Sequence, residues 1–317
     1  MAHPDPITLS LNAMATRFEL LLHGEDPVRL RAAGEEALAE IARLHRQLNF
    51  YDQSSEISFI NRQAALAPVR VDPRLFRLLA ECASLSGLTS GSFDVTVGPL
   101  VDLWRAAGDT GRLPADAEIH AVRQRVGMHL VELDEKEYAV HFRHPGVEID
   151  LGAYAKGYAI GRAVDLLREA GVASALLHGG TSSVYAIGGP PGQSAWRVAL
   201  QEPLGGQSDP ACIDLNDAAL SVSAVHGRSF VVDGKAYGHV IDPTRGEPVT
   251  GALAAAAIGP SPAVCEALST GLLVASDCNE GFPTRAQWSG GFLARFPGYR
   301  AMLALEANGR VSRLQLP

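Results

Sequence analysis

Residues 147–159, Val-Glu-Ile-Asp-Leu-Gly-Ala-Tyr-Ala-Lys-Gly-Tyr-Ala, combine residue types that can handle an anionic ligand. A short apolar run ends in a carboxylate, Asp150, and two glycines, Gly152 and Gly157, bracket Lys156. An alanine-rich helical pattern follows. The order predicts strand, tight turn and helix N-terminus. A helix start presents unpaired N–H groups and partial positive charge, which suit phosphate. The spacing matches neither G-x-x-x-x-G-K-[ST], because Lys156 precedes the second glycine, nor G-x-G-x-x-G. A plain strand–helix junction accounts for the same residues.

Three other groups carry chemical potential. Glu266 and Thr270 stand at i, i+4 in the small, apolar stretch 262–275, so both oxygens leave one helix face. A carboxylate in such a helix needs a partner, which a hard cation or an ordinary ion pair would supply. His239 lies in Tyr-Gly-His-Val-Ile-Asp-Pro-Thr-Arg-Gly, with Asp242 three residues on; it could serve as a base near neutral pH or hold a turn. Asp94, in a Gly-rich entry to an apolar stretch at 91–104, could accept from a base or sugar donor, or cap a turn. Gly179-Gly180 permits close backbone approach to something flat or charged, or a bulge. Thr181-Ser182-Ser183 lacks the G-x-S-x-G elbow of a serine hydrolase.

The elements that must position these groups fall into two halves. Helical spacing predicts helices at 28–48, 73–86 and 115–126, and one running from Lys156 to about Ala170 with Gly171 as its stop. Strands are predicted at 17–22, 138–142 and 147–151. The second half turns strand-rich: 173–177, 183–187, 196–200, 211–215, 219–223, 229–232, 253–258, 300–305 and 311–316, interrupted by a helix at 262–275. Residues 277–298 read as a long ordered loop. Few β-α-β alternations occur, so the pattern predicts an α+β fold with a largely antiparallel sheet.

Bulk properties narrow the function classes. The 317 residues are 47% hydrophobic and 20% charged, an ordinary globular balance. A formal net charge of −8 disfavours a nucleic-acid backbone or an anionic membrane as partner. The four cysteines, Cys82, Cys212, Cys265 and Cys278, form no C-x-x-C. They predict reduced thiols in a cytoplasmic chain. No run approaches the roughly 18 apolar residues of a membrane helix, and the first residues carry no signal-peptide pattern.

Several short motifs recur in a definite order: Met14-Ala15-Thr16; Phe50-Tyr51, then Ser55-Glu56-Ile57-Ser58 and Asn61; Ser92-Phe93-Asp94-Val95-Thr96-Val97-Gly98-Pro99-Leu100; Asp150 to Tyr158; Gly179-Gly180; His239-Val240-Ile241-Asp242-Pro243; and Ala267-Leu268-Ser269-Thr270. Together they resemble the ApbE family, the FAD:protein FMN transferases, over nearly the whole chain. The resemblance implies one domain over 1–317, helix-rich to about 172 and strand-rich from 173. It also implies a T-fold-like mixed α/β architecture with a cleft for FAD. The implied reaction is Mg²⁺-dependent transfer of FMN from FAD to a threonine or serine hydroxyl of an acceptor flavoprotein, releasing AMP.

By the same resemblance, Met14, Tyr51, Ser92, Phe93, Asp94, Asp150 and Lys156 surround FAD, with Val240 and Ile241 lining the flavin. The Ala153 carbonyl, Glu266 and Thr270 hold the metal, and His239 stands beside the transferred phosphoryl group. The chain departs from the family pattern in places. Glu266 replaces the usual aspartate, Thr181 an acidic residue, Val222-Ser223-Ala224 the usual Thr-Ser-Gly, and Gly161 an aspartate. Two alternatives use the same site: an FAD-binding protein that does not transfer, and an FAD pyrophosphohydrolase in which water replaces the hydroxyl.

Overall fold

The structure is a computed structural model and describes residues 5–201, 211–225, 229–232, 234–276, 292–307 and 310–316. The first half comprises β1 (Ile7–Ala13), β2 (Thr16–His23), α1 (Pro27–Leu48), α2 (Glu56–Gln63), β3 (Val69–Arg70), α3 (Pro73–Leu88), α4 (Gly98–Thr110), α5 (Asp116–Arg123), β4 (Val131–Asp134), β5 (Ala139–Phe142) and α6 (Ala155–Glu169). The second half comprises β6 (Ser174–Gly179), β7 (Ser183–Ile187), β8 (Trp196–Ala199), β9 (Cys212–Leu215), β10 (Ala218–Ala224), β11 (Ser229–Val232), β12 (Lys235–Gly238), β13 (Ile241–Asp242), β14 (Glu247–Pro248), β15 (Ala254–Gly259), α7 (Pro262–Ala275), β16 (Arg300–Ala307) and β17 (Arg310–Leu316).

The central feature is an eight-stranded sheet in the order β1-β2-β6-β7-β10-β15-β16-β17, with every neighbouring pair antiparallel. Period-2 alternation sorts its residues. Tyr185, Ala219, Ala255 and Ala257 face the main core with α1, α6 and α7, while Val184, Ala186, Leu220 and Ile258 face a second cluster closed by Trp196 and Leu215 of the β8–β9 hairpin. The protein is thus α+β with flanking helices and a largely antiparallel sheet.

Helices approach this sheet closely where glycine permits. A Cβ on Gly34 would meet Leu22 Cδ1 at 2.9 Å, so α1 beds directly on β1 and β2. A Cβ on Gly157 would lie 2.8 Å from Ala263 Cα, so α6 crosses the start of α7 almost backbone to backbone. Leu100, Trp104, Ile119, Val122, Val126 and Ile241 form a separate small cluster around α4 and α5.

The α6 prediction matches closely: the helix runs Ala155–Glu169 and Gly171 adopts φ +80° just beyond it. The predicted strand at 147–151 does not form. That segment is extended but makes only one isolated parallel bridge, Val97 to Glu148. The rest of its bonding goes elsewhere. Asn61 accepts from Ile149 N (2.8 Å) and donates to Ile149 O (3.0 Å), and Asp150 N donates to Val95 O (2.7 Å). Most of the predicted 277–298 loop lies outside the described residues; its last part holds a short 3₁₀ turn, Leu293–Arg295.

Candidate functional site

The crossing of α6 and α7 brings Lys156 to Glu266. Lys156 Nζ lies 2.9 Å from Glu266 Oε1, and Glu266 is 3% exposed. Ser183 Oγ of β7 donates to the same oxygen. Glu266 Oε2 is buried with no hydrogen-bond partner among the described residues. Thr270, one turn further along α7, is half-buried and its hydroxyl lies 3.0 Å from Ser223 Oγ of β10. The start of α6 has no side-chain cap at Tyr154, but Ala155 N already donates to Leu151 O at 2.8 Å, so an anion there would meet the N–H groups of Lys156 and Gly157. The structure therefore brings Lys156 to the α7 face that carries Glu266 and Thr270, a helix far from it in the chain.

This donor set is compatible with a hard cation: a buried carboxylate oxygen lacks a partner, and a hydroxyl stands on the same helix face. Ala153 is partly buried at the turn before α6, packed against the main core. No cluster of three or more His, Cys, Asp or Glu occurs among the described residues. Any such centre would depend on hydroxyl and carbonyl oxygens rather than on stacked carboxylates.

Ser92 and Phe93 lie against the next turn of α7. A Cβ on Gly271 would meet Ser92 Oγ at 3.2 Å and Phe93 Cβ at 3.5 Å. Phe93 is buried and its ring sits 6.2 Å from that of Tyr154. Ser92 donates to Thr89 O at 2.9 Å. Asp94 borders a cavity of about 700 Å³ that is also lined by His120, Arg123, His129 and Thr244. Its carboxylate is already committed. Oδ1 accepts from Thr96 N (2.8 Å) and Thr96 Oγ1 (2.6 Å), and Oδ2 accepts from Met128 N (3.0 Å). Asp94 thus braces the cavity wall.

Asp150 accepts from Gly152 N at 2.8 Å, which forms the tight turn ahead of α6. Burial among neighbouring atoms pushes its pKa above the ordinary aspartate value, with Asp102 adding to the rise and the Gly152 N–H opposing it. The side chain still keeps some solvent contact. Glu148, beside it, is raised for the same reason.

Met14 and Ala15 form the two-residue β1–β2 turn with φ +49° and +56°. Both are left-handed conformations, disfavoured for residues other than glycine and asparagine. The turn is tied down by Met14 N donating to His45 Nδ1 at 3.2 Å. Tyr51 is 60% exposed, its ring edge-on to Phe50 and covered on one face by Arg105 at 5.2 Å.

The His239 segment divides. His239 is exposed, Val240 packs against the main core, and Ile241 is buried in the α4–α5 cluster. Asp242 organises its own turn. Its Oδ1 accepts from Thr244 N (2.8 Å), Thr244 Oγ1 (2.7 Å) and Arg245 N (3.2 Å), while Arg245 Nε sits 3.1 Å from Oδ2. The flat partner of Gly179 is internal: a Cβ there would meet the Phe18 ring at 2.8 Å. Sequence reasoning missed Ser183, Ser223, His45 and Arg105. The alternation of β7 and β10 carried a signal for the two serines.

The fold and these contacts define a flavin-transferase-like α+β protein, and comparison with known proteins agrees. The ApbE family model matches residues 14–281. The FAD:protein FMN transferase of Klebsiella pneumoniae is 32% identical over 221 residues, 68% of this chain and 68% of that protein. The enzyme of the same name from Vibrio cholerae is 30% identical over 242 residues, covering 74% and 70%. The solved ApbE protein of Thermotoga maritima superposes with a TM-score of 0.84 at 29% identity, over 98% of this chain and 97% of that one. The chain belongs to the ApbE family.

Proposed function

We propose that this chain, acting as one domain over 1–317, transfers FMN from FAD to a threonine or serine hydroxyl of an acceptor flavoprotein and releases AMP. The Lys156–Glu266–Thr270 constellation at the α6–α7 crossing carries the reading, in a chain whose relatives are FAD:protein FMN transferases. Lys156 and the uncapped first turn of α6 receive the pyrophosphate. Met14, Tyr51, the Ser92–Asp94 segment, Asp150, Val240 and Ile241 hold the rest of FAD. The acceptor oxygen bonds to the FMN-side phosphorus, the bond from that phosphorus to the bridging oxygen breaks, and AMP leaves with the electron pair. His239 takes the hydroxyl proton and passes it to solvent. Glu266, Thr270 and the Ala153 carbonyl would hold Mg²⁺, whose chemistry is to offset charge on the phosphate oxygens.

One observation favours the non-transferring alternative. Lys156 already compensates Glu266, so the pair can be purely structural. Chromatography of FAD incubated with the protein and Mg²⁺, with and without an acceptor domain, separates the readings. AMP formed only when acceptor is present supports transfer. AMP and FMN formed without acceptor identify a pyrophosphohydrolase, and intact bound FAD identifies a carrier.

Among the described residues no helix is long and apolar enough to cross a membrane. Among the described residues Cys82 and Cys265 are buried thiols outside any disulfide, which suits the cytoplasmic setting we propose.

A further inference from the structure

A seam of serines runs between the sheet and α7. Alternation sends Ser183 of β7 and Ser221 and Ser223 of β10 to the α7 face, and Ser183 and Ser221 are direct cross-strand partners. The neighbouring residues of that face, Ala219, Ala255 and Ala257, are apolar and buried. A hydroxyl in such a row costs free energy unless it is bonded. Each is bonded: Ser183 Oγ to Glu266 Oε1, Ser223 Oγ to Ser269 Oγ (2.9 Å) and Thr270 Oγ1 (3.0 Å), and Ser221 Oγ to Ser269 Oγ (3.4 Å).

The consequence falls on Glu266. A carboxylate only accepts, so the Ser183 hydroxyl must be the donor. Ser183 and Lys156 converge on Oε1, while Oε2 is buried and without a partner among the described residues. Glutamate has one more side-chain torsion than aspartate, and fixing Oε1 from two directions fixes Oε2 as well.

We propose that Ser183 is a positioning residue, whose hydrogen bond to Glu266 Oε1 holds Oε2 as the oxygen offered to a divalent cation. The proposal rests on the cation reading of Glu266 and Thr270 given above.

Binding of Mn²⁺ to the full chain, followed by the electron paramagnetic resonance of free Mn²⁺, tests it without turnover. Ser183→Ala should weaken Mn²⁺ binding about fivefold, the worth of one hydrogen bond. Ser183→Cys, similar in shape but a weak donor, should do the same, and Ser183→Thr should keep the wild-type affinity. Thermal melts without metal identify any variant that fails to fold, and the remaining variants carry the comparison. Wild-type affinity in Ser183→Cys or Ser183→Ala would overturn the proposal and leave the cation site standing. No Mn²⁺ binding by the wild-type chain would overturn both.

Discussion

Lys156 touches the Glu266 carboxylate, and in the transfer we propose it would also meet the phosphates of FAD. Removing it leaves Glu266 charged, 3% exposed and without a cation. Breaking a buried pair in this way costs about 3 kcal/mol. Lys156→Met should therefore lower the urea-unfolding free energy by about that much, and adding Glu266→Gln should recover part of it. An unchanged midpoint in Lys156→Met would show that solvent already screens the pair. Asp150 behaves in the opposite sense from a salt-bridged carboxylate. Its folded pKa lies above the ordinary value of 3.8, chiefly through burial, so the folded state holds the proton more tightly. Stability contributed by Asp150 is present at low pH and is lost as pH rises from the unfolded pKa through the raised folded one. Asp150→Asn keeps an oxygen for Gly152 N. It should raise stability at neutral pH relative to pH 3, measured by paired denaturant titrations; a deficit at neutral pH would contradict this assignment.

At the scale of elements, the α6–α7 crossing sets the site, and glycine sets the crossing. Gly157→Ala puts a methyl group into the backbone of α7, and overpacking of this kind costs about 1–3 kcal/mol. Gly161→Ala meets only the Pro262 ring, Cγ at 3.4 Å and Cδ at 3.8 Å, both ordinary contacts, and gains helix propensity of up to about 1 kcal/mol. Thermal melts should move down for the first and up or not at all for the second. Equal shifts would mean that the two helices do not cross as described. Helices α1, α3, α5, α6 and α7 and the central strands were legible because their apolar periods run undisturbed: α7 coincides with the predicted 262–275 and β7 with 183–187. Helices α2 and α4 are not predicted. The errors have local causes. The 147–151 segment has a strand's composition, but its backbone is paired by the Asn61 side chain and Val95 rather than by a strand. No helix is predicted at α4, whose start lies in the 91–104 stretch read only as a Gly-rich entry to an apolar run, because Pro99 in its first turn looks like a breaker. The edge strand β1 alternates half-buried and exposed residues, so its apolar face is weak.

Across the whole molecule, the packing of segments distant in sequence brings together what the chain keeps apart. Ser183 and Glu266 are 83 residues distant, and Asn61 and Ile149 are 88. No local pattern could have paired either. What the sequence did reveal was the set of motifs. What it withheld was which atoms of those motifs are already occupied: Asp94 by Thr96 and the distant Met128 N–H, Asp242 by its own turn, Glu266 by Lys156 and Ser183. A net charge of −8 gives an anionic ligand no long-range attraction, so its binding near Lys156 and the start of α6 would rest on local geometry. The proposed passage of FMN to a protein hydroxyl is tested by the intact mass of an acceptor domain after incubation with this chain, FAD and Mg²⁺. The acceptor should gain the mass of FMN less one water, and the gain should vanish when the acceptor threonine is changed to valine. An acceptor of unchanged mass, with FAD and Mg²⁺ in excess, would contradict it.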